Sequence, residues 1–109
     1  LEIPRNTDIY IINQGLIAET LALDLSRKLR NYDLIVELDL SGASFSKQFK
    51  KANKLKSKSI IVIGDDEAVK GEFTIRLFDQ SGNRNEEEVI SFENDIELEK
   101  WINNNLLAK

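Results

Sequence analysis

Asp65, Asp66 and Glu67 stand in succession directly after Gly64 and the apolar run Ile60-Ile61-Val62-Ile63. Adjacent carboxylates can hold magnesium, accept hydrogen bonds from a nucleobase amine, or lie in a solvated loop. A magnesium site of the phosphorylated receiver kind also needs acids after the first strand, where this chain has Asn13, Gln14 and Gly15. A second group of residues is basic. Lys47, Lys50, Lys51, Lys54 and Lys58 fall in a stretch, Leu40 to Gly64, that contains no Asp or Glu. Ordinary solvated helices mix both signs for i,i+4 pairing, so a face of one sign suits a polyanion, with a plain solvated face as the alternative.

Other chemistries are excluded by composition. The chain has no histidine and no cysteine. That removes disulfides, zinc sites, thiol nucleophiles and the side chain that titrates near physiological pH. Neither Gly15 nor the loop Ser41-Gly42-Ala43-Ser44 continues into a dinucleotide or phosphate-loop fingerprint. The loop's expected role is to cap a helix, and its lack of bulky side chains would also admit a nucleic-acid backbone at Gly42. The net charge is −4, yet the acids collect away from the lysines, for instance at Glu86, Glu87, Glu88, Glu93, Asp95, Glu97 and Glu99. An acidic protein can therefore carry one basic face.

These residues need a scaffold, and 109 residues supply one domain. The four-residue run Ile60-Ile61-Val62-Ile63 is far too short to span a membrane. No secretory segment opens the chain, which reads as soluble and cytoplasmic. It begins at Leu1 and has no methionine, so a piece of a longer protein is expected. Residues 1–7 read as a lead-in and 8–109 as the folded unit.

The hydrophobic period changes repeatedly along that unit. Ile9-Tyr10-Ile11-Ile12 predicts a buried strand, and Ala18, Leu21, Ala22, Leu25 and Leu29 predict a helix over 16–30. Leu34 to Leu38 predicts a second strand. A second helix over 44–55 follows, burying Phe45, Phe49 and Ala52 opposite the lysines, and then a third strand over 59–63. Two successive βαβ units make these strands parallel, in the order 2-1-3. Phe73 to Phe78, the turn Asp79 to Asn83, and Glu88 to Phe92 predict a hairpin. Alternation puts Phe73, Ile75 and Leu77 on one face and Thr74, Arg76 and Phe78 on the other. Asp95 opens a last helix carrying Ile96, Leu98, Trp101, Ile102 and Leu106. The class is α/β with three helices, and Tyr10, Tyr32 and Trp101 are expected in the core.

Three stretches in register carry a resemblance. Leu40 to Lys54, with Gly42, Lys47-Gln48-Phe49 and Ala52-Asn53-Lys54, resembles the glycine, Lys-Gln-Phe, Ala-Asp-Lys helix motif of the C-terminal anticodon-binding domain of histidyl-tRNA synthetases. Ile60 to Gly71, with Gly64, Asp65-Asp66-Glu67 and Gly71, resembles that domain's next landmark. Asp8 to Ile12, followed by Gly15 and a helix, resembles its start. The resemblance implies a class IIa family fold: a five-stranded mixed sheet, order 2-1-3-4-5 with strand 4 antiparallel. It implies binding of the anticodon stem-loop of histidine tRNA, on behalf of an upstream catalytic core that uses ATP and magnesium and works as a homodimer. No catalytic residue, metal or cofactor is expected within this chain.

The resemblance also implies that Glu67 and Arg76 contact anticodon bases, with Lys47 and Gln48 next. Side-chain chemistry agrees. A carboxylate at Glu67 accepts from base amines, Arg76 donates to carbonyl and ring-nitrogen acceptors, Gln48 does either, and Lys50 and Lys54 hold phosphates. For Arg76 the plain alternative is a cross-strand pair with Glu88 or a neighbouring acid. Two other function classes stay open: a synthetase-like regulatory or interaction module that has lost anticodon reading, and a stand-alone α/β enzyme of receiver or flavodoxin type.

Overall fold

A computed structural model describes residues 7–78 and 87–107. The chain runs β1 (Ile9–Asn13), α1 (Leu16–Arg30), β2 (Val36–Leu38), α2 (Phe45–Lys54), β3 (Ser59–Ile63), α3 (Asp65–Lys70), β4 (Glu72–Leu77), β5 (Glu88–Ser91) and α4 (Asp95–Ile102). A π-helical turn, Asn103–Leu107, follows α4. The strands form one sheet in the order β2-β1-β3-β4-β5. β1 is parallel to β2 and β3, while β4 is antiparallel to both β3 and β5. That is the expected mixed sheet.

The two faces of the sheet are covered unequally, and the site follows from this. On one face Ile9, Ile11, Ile61, Ile63, Phe73, Ile75 and Ile90 pack under α1, α3 and α4, which contribute Ala18, Ala22, Leu25, Leu29, Ala68, Leu98, Trp101 and Ile102. The other face is covered by α2. There Tyr10, Ile12 and Ile60 pack with Ala52, and Phe45, Phe49, Val62 and Phe78 border them half-buried. One ten-residue helix cannot span five strands. The part of this face on β3 to β5 therefore stays open, with Val62, Thr74 and Arg76 half-buried and Val89 exposed.

Several local expectations need correction. Asp65, Asp66 and Glu67 start a helix instead of a loop. They place negative charge at its N-terminus, which favours it, and Gly71 ends it with φ of 73°. With Ala68 as its buried residue, this six-residue helix has no apolar period to read. β2 starts at Val36, because Ile35 bonds the Asp8 carboxylate through its N–H (2.8 Å). Thr7, expected in the lead-in, is 5% exposed and its carbonyl accepts from the Lys58 N–H. Phe45 and Phe49 are half-buried where full burial was expected. Ile96 is 71% exposed, and Asn94 caps α4 by accepting from the Glu97 N–H. The hairpin turn Asp79 to Asn83 lies outside the described residues. Tyr10 and Trp101 are buried and Tyr32 borders the core.

Candidate nucleic-acid interface

The chain order brings three elements to one edge of the open face. β3 ends at Ile63, and Gly64 turns the chain into α3, so Glu67 stands in the first turn beside the carboxyl end of the parallel strands. A β-carbon on Gly64 would lie 3.0 Å from a Glu67 carboxylate oxygen and 3.7 Å from the Phe45 ring. Glycine thus lets the carboxylate fold back toward α2. Asp65 points elsewhere. Its carboxylate occupies the space a side chain on Gly15 would need, and Gly15, at φ of 113°, is also in a backbone region that favours glycine. Only Glu67 of the acidic trio lines the groove. Among the described residues no group of three acidic side chains comes together to hold a metal ion.

Arg76 comes from β4. Cross-strand pairs run Ile60 to Arg76 and Val62 to Thr74, which places Thr74 and Arg76 on the α2 side of the sheet. The β4–β5 register, with Ile75 opposite Glu88, puts Arg76 opposite Glu87. The Arg76 Nε lies 3.6 Å from Glu87 Oε1, with side-chain exposures of 12% and 40%. The partner is thus the acid next to Glu88, which itself faces the opposite side of β5. Phe49, Val62, Glu67, Thr74, Arg76 and Glu87 together line an open groove of about 260 Å³.

α2 forms the wall of this groove. Ser44 caps it by accepting from the Lys47 N–H at 3.3 Å, as the loop Ser41 to Ser44 is expected to do. Gly42, at φ of 80°, has open space where a side chain would be. Lys47, Lys50, Lys51 and Lys54 are exposed, and among the described residues no ion pair holds them. Lys58 differs, lying 3.5 Å from Asp8 Oδ1. At about 100° per residue, Lys50 stands about 100° round the helix from Phe49, on the flank away from Gln48. Beside the loop, hydrogen bonds from the Ser41 side chain and backbone hold the Asp39 carboxyl below its ordinary range, with Lys51 acting in the same direction.

Gln48 does not join the groove. It is 1% exposed. Its Oε1 accepts from the Asn13 N–H (3.0 Å), while Nε2 donates to the Asn13 carbonyl (2.7 Å) and the Ala43 carbonyl (2.8 Å). Both amide hydrogens are used, so Gln48 has none to offer a base, and its expected place among the base-reading residues is withdrawn. Phe49, Val62, Thr74 and Glu87 were missed. The alternation of β4 already put Thr74 beside Arg76. The apolar stripe of the helix points Phe49 at the core, because a stripe does not show where the covering helix ends over a sheet.

The described part of the fold matches known proteins along most of its length. The family profile described as "Anticodon binding domain" matches residues 8–101. The histidine–tRNA ligase of Prochlorococcus marinus (strain AS9601) is 89% identical over all 109 residues, which make up 26% of that protein. The chain thus spans about a quarter of the length of that curated relative. The crystal structure of apo S. aureus histidyl-tRNA synthetase superposes with a TM-score of 0.72 at 28% identity, covering 90% of this chain and 24% of that one. The RNA binding domain of threonyl-tRNA synthetase from Cryptosporidium parvum Iowa II shares the fold, with a TM-score of 0.70 at 20% identity over 87% of this chain and 23% of that one. The profile match and the sheet order agree: this chain belongs to the anticodon binding domain family, in the form it is similar to in histidine–tRNA ligases.

Proposed function

We propose that this chain is the tRNA-reading part of a histidine–tRNA ligase and binds the anticodon stem-loop of histidine tRNA. The observation that supports this most is the meeting of Glu67 and Arg76, from separate elements, in one groove walled by a lysine-rich helix. Single-stranded RNA loops are read by hydrogen bonds to the edges of splayed bases, while basic side chains hold the backbone. Glu67 is acceptor-only and takes base amine or imino hydrogens. Arg76 is donor-only and takes carbonyl or ring-nitrogen acceptors. Across the groove its Nε lies 3.6 Å from Glu87 Oε1. Lys50, Lys54 and Lys47 hold phosphates, and the bare backbone at Gly42 allows close approach.

On this reading, the rest of the polypeptide carries the catalytic core and attaches histidine with ATP and magnesium, as a cytoplasmic homodimer. Residues 1–7 connect toward that core. No described helix is long and apolar enough to cross a membrane. Titration of this chain with the histidine anticodon stem-loop, and with loops altered at each anticodon base, tests the assignment. Cognate binding that weakens with salt and with anticodon changes is expected. Absence of any RNA binding at low salt would instead favour a synthetase-like module without anticodon reading.

A further inference from the structure

We propose that the first turn of α1 and the outer flank of α3 form a docking face for the rest of the ligase polypeptide, centred on Leu16, Ile17 and Val69. The proposal rests on the reading of this chain as one part of a ligase, and it concerns the side of the domain away from the RNA groove.

Leu16, Ile17 and Val69 are 81%, 55% and 76% exposed. Single exposed apolar side chains are ordinary, but these three come together. The Asp65 carboxylate occupies the space beside Gly15, so the first turn of α3 abuts the start of α1, where Leu16 and Ile17 follow. Val69 stands one turn after Asp65 on the same flank of α3. The two helices pack against one another. Their inward faces supply the core through Ala18, Ala22, Leu25 and Leu29 of α1 and Ala68 of α3. Leu16, Ile17 and Val69 lie outside that core and leave an apolar face in water. Asp65, Asp66 and Lys70 stand exposed at its rim, the polar border usual for a protein contact surface.

The position of this face suits a second body in the same enzyme. α1 and α3 cover the side of the sheet opposite α2. Val69 is about 200° round α3 from Glu67, so it faces away from the groove. A body seated here leaves Glu67, Arg76 and the lysines of α2 open to RNA. Size then selects the occupant. Three side chains are far short of the roughly 20–30 residues that each partner contributes when free proteins form a stable complex. A tethered neighbour needs much less, because the tether holds its effective concentration near the millimolar range. The P. marinus (strain AS9601) ligase has such a neighbour, since only 26% of it is spanned by this chain. The occupant is therefore an apolar patch on that remaining polypeptide, and neither a free protein nor a second copy of this domain.

The test uses the full-length ligase that carries this chain, with the photo-cross-linking residue benzoylphenylalanine in place of Val69 and, separately, of Ile17. Illumination should join each position to a peptide outside these 109 residues, with a yield that does not change on dilution. Cross-links to no peptide, or only to the α1–α3 face of a second copy, overturn the proposal. A paired variant, Leu16→Glu with Val69→Glu, gives an independent readout. It should lower the melting temperature of this domain within the full-length ligase by about 4 °C or more and leave the isolated chain unchanged. Equal shifts in both overturn the proposal, because the residues would then serve the domain's own fold. The same pair should leave binding of the histidine anticodon stem-loop to the isolated chain within about two-fold; a larger loss assigns the face to RNA and also overturns the proposal. Failure of the unsubstituted chain to bind that RNA at low salt, with the cross-links present, overturns anticodon reading and leaves the docking face standing.

Discussion

The Gln48 side chain pairs with Asn13 as a neighbouring strand would, accepting from its N–H at 3.0 Å and donating to its carbonyl at 2.7 Å. Asn13 in turn donates from its own side chain to the Asp39 carbonyl at 3.1 Å, and Gln48 holds the Ala43 carbonyl at 2.8 Å. One buried amide thus fastens the end of β1, the start of α2 and the loop between β2 and α2. The helix carrying the lysines and Phe49 is thereby placed over the sheet.

Removing that amide leaves the Asn13 backbone groups buried without their partner. Gln48→Ala should cost about 2–4 kcal/mol in chemical denaturation, since each unsatisfied buried group costs about 1–3 kcal/mol. Gln48→Glu separates the two roles. It keeps an acceptor for the Asn13 N–H but turns a carboxylate oxygen toward two carbonyls. The destabilisation should be present while the introduced carboxyl is ionised and shrink as pH falls and it protonates. A loss for Gln48→Glu that stays constant with pH would show that the donor bonds are not what Gln48 contributes.

Tyr10 supplies the opposite case. Its side chain is 0% exposed beneath α2, and its hydroxyl has no hydrogen-bond partner among the described residues. Burial, and then the charges of Asp39 and Glu37, push its pKa upward. A hydroxyl without a partner is desolvated for no return, so Tyr10→Phe should leave stability unchanged or raise it by up to about 1 kcal/mol. A clear loss of stability for Tyr10→Phe would reveal a partner that this geometry does not provide.

Most of the sheet was legible because its signals are local and repeated. Continuous apolar runs marked β1 and β3, alternation marked β4, and turn residues separated them. Glu67 and Arg76 are singled out by the resemblance, and their side chains line one groove. What escaped depended on the extent of covering elements. α3 has six residues and too little buried surface to show a period. Phe49 and Gln48 sit on one helix with roles reversed from expectation, the phenylalanine lining the groove and the glutamine buried. Residue type alone assigns an aromatic to the core and an amide to the surface. The reversal arises because α2 stops short of β4 and because the end of β1 leaves backbone groups beneath it that need a partner.

The lysines should act without regard to sequence. Changing Lys50 or Lys54 to Ala should weaken binding to cognate and altered anticodon loops by the same factor, lowering the salt slope by about 0.7 per lost phosphate contact. Lys50, closer round the helix to Phe49 than Lys54, should have the larger effect of the two. Salt titration of each variant against both RNAs checks this, and a Lys50→Ala loss confined to the cognate loop would move that residue from backbone to base contact.

Glu67 and Arg76 should behave differently, because a base-edge contact has a partner that can be removed from either side. Glu67→Ala or Arg76→Ala should cost about 1–3 kcal/mol against the cognate anticodon loop and little against a loop already altered at the base that side chain reads. The coupling is measured by a double-mutant cycle between one side chain and one base, on this chain with stem-loop RNA. Arg76 needs a further control, since it also faces Glu87 across the hairpin at 3.6 Å. Glu87→Gln removes that ion pair and keeps a polar group in the groove. If the Arg76 effect comes from the base, Glu87→Gln should bind RNA as well as or better than the unsubstituted chain, because it removes a competing anion. If Arg76 only holds the hairpin together, Glu87→Gln and Arg76→Ala should lose similar affinity for every loop. Additive losses at every anticodon base would take both residues out of the reading site and leave α2 as a general polyanion surface.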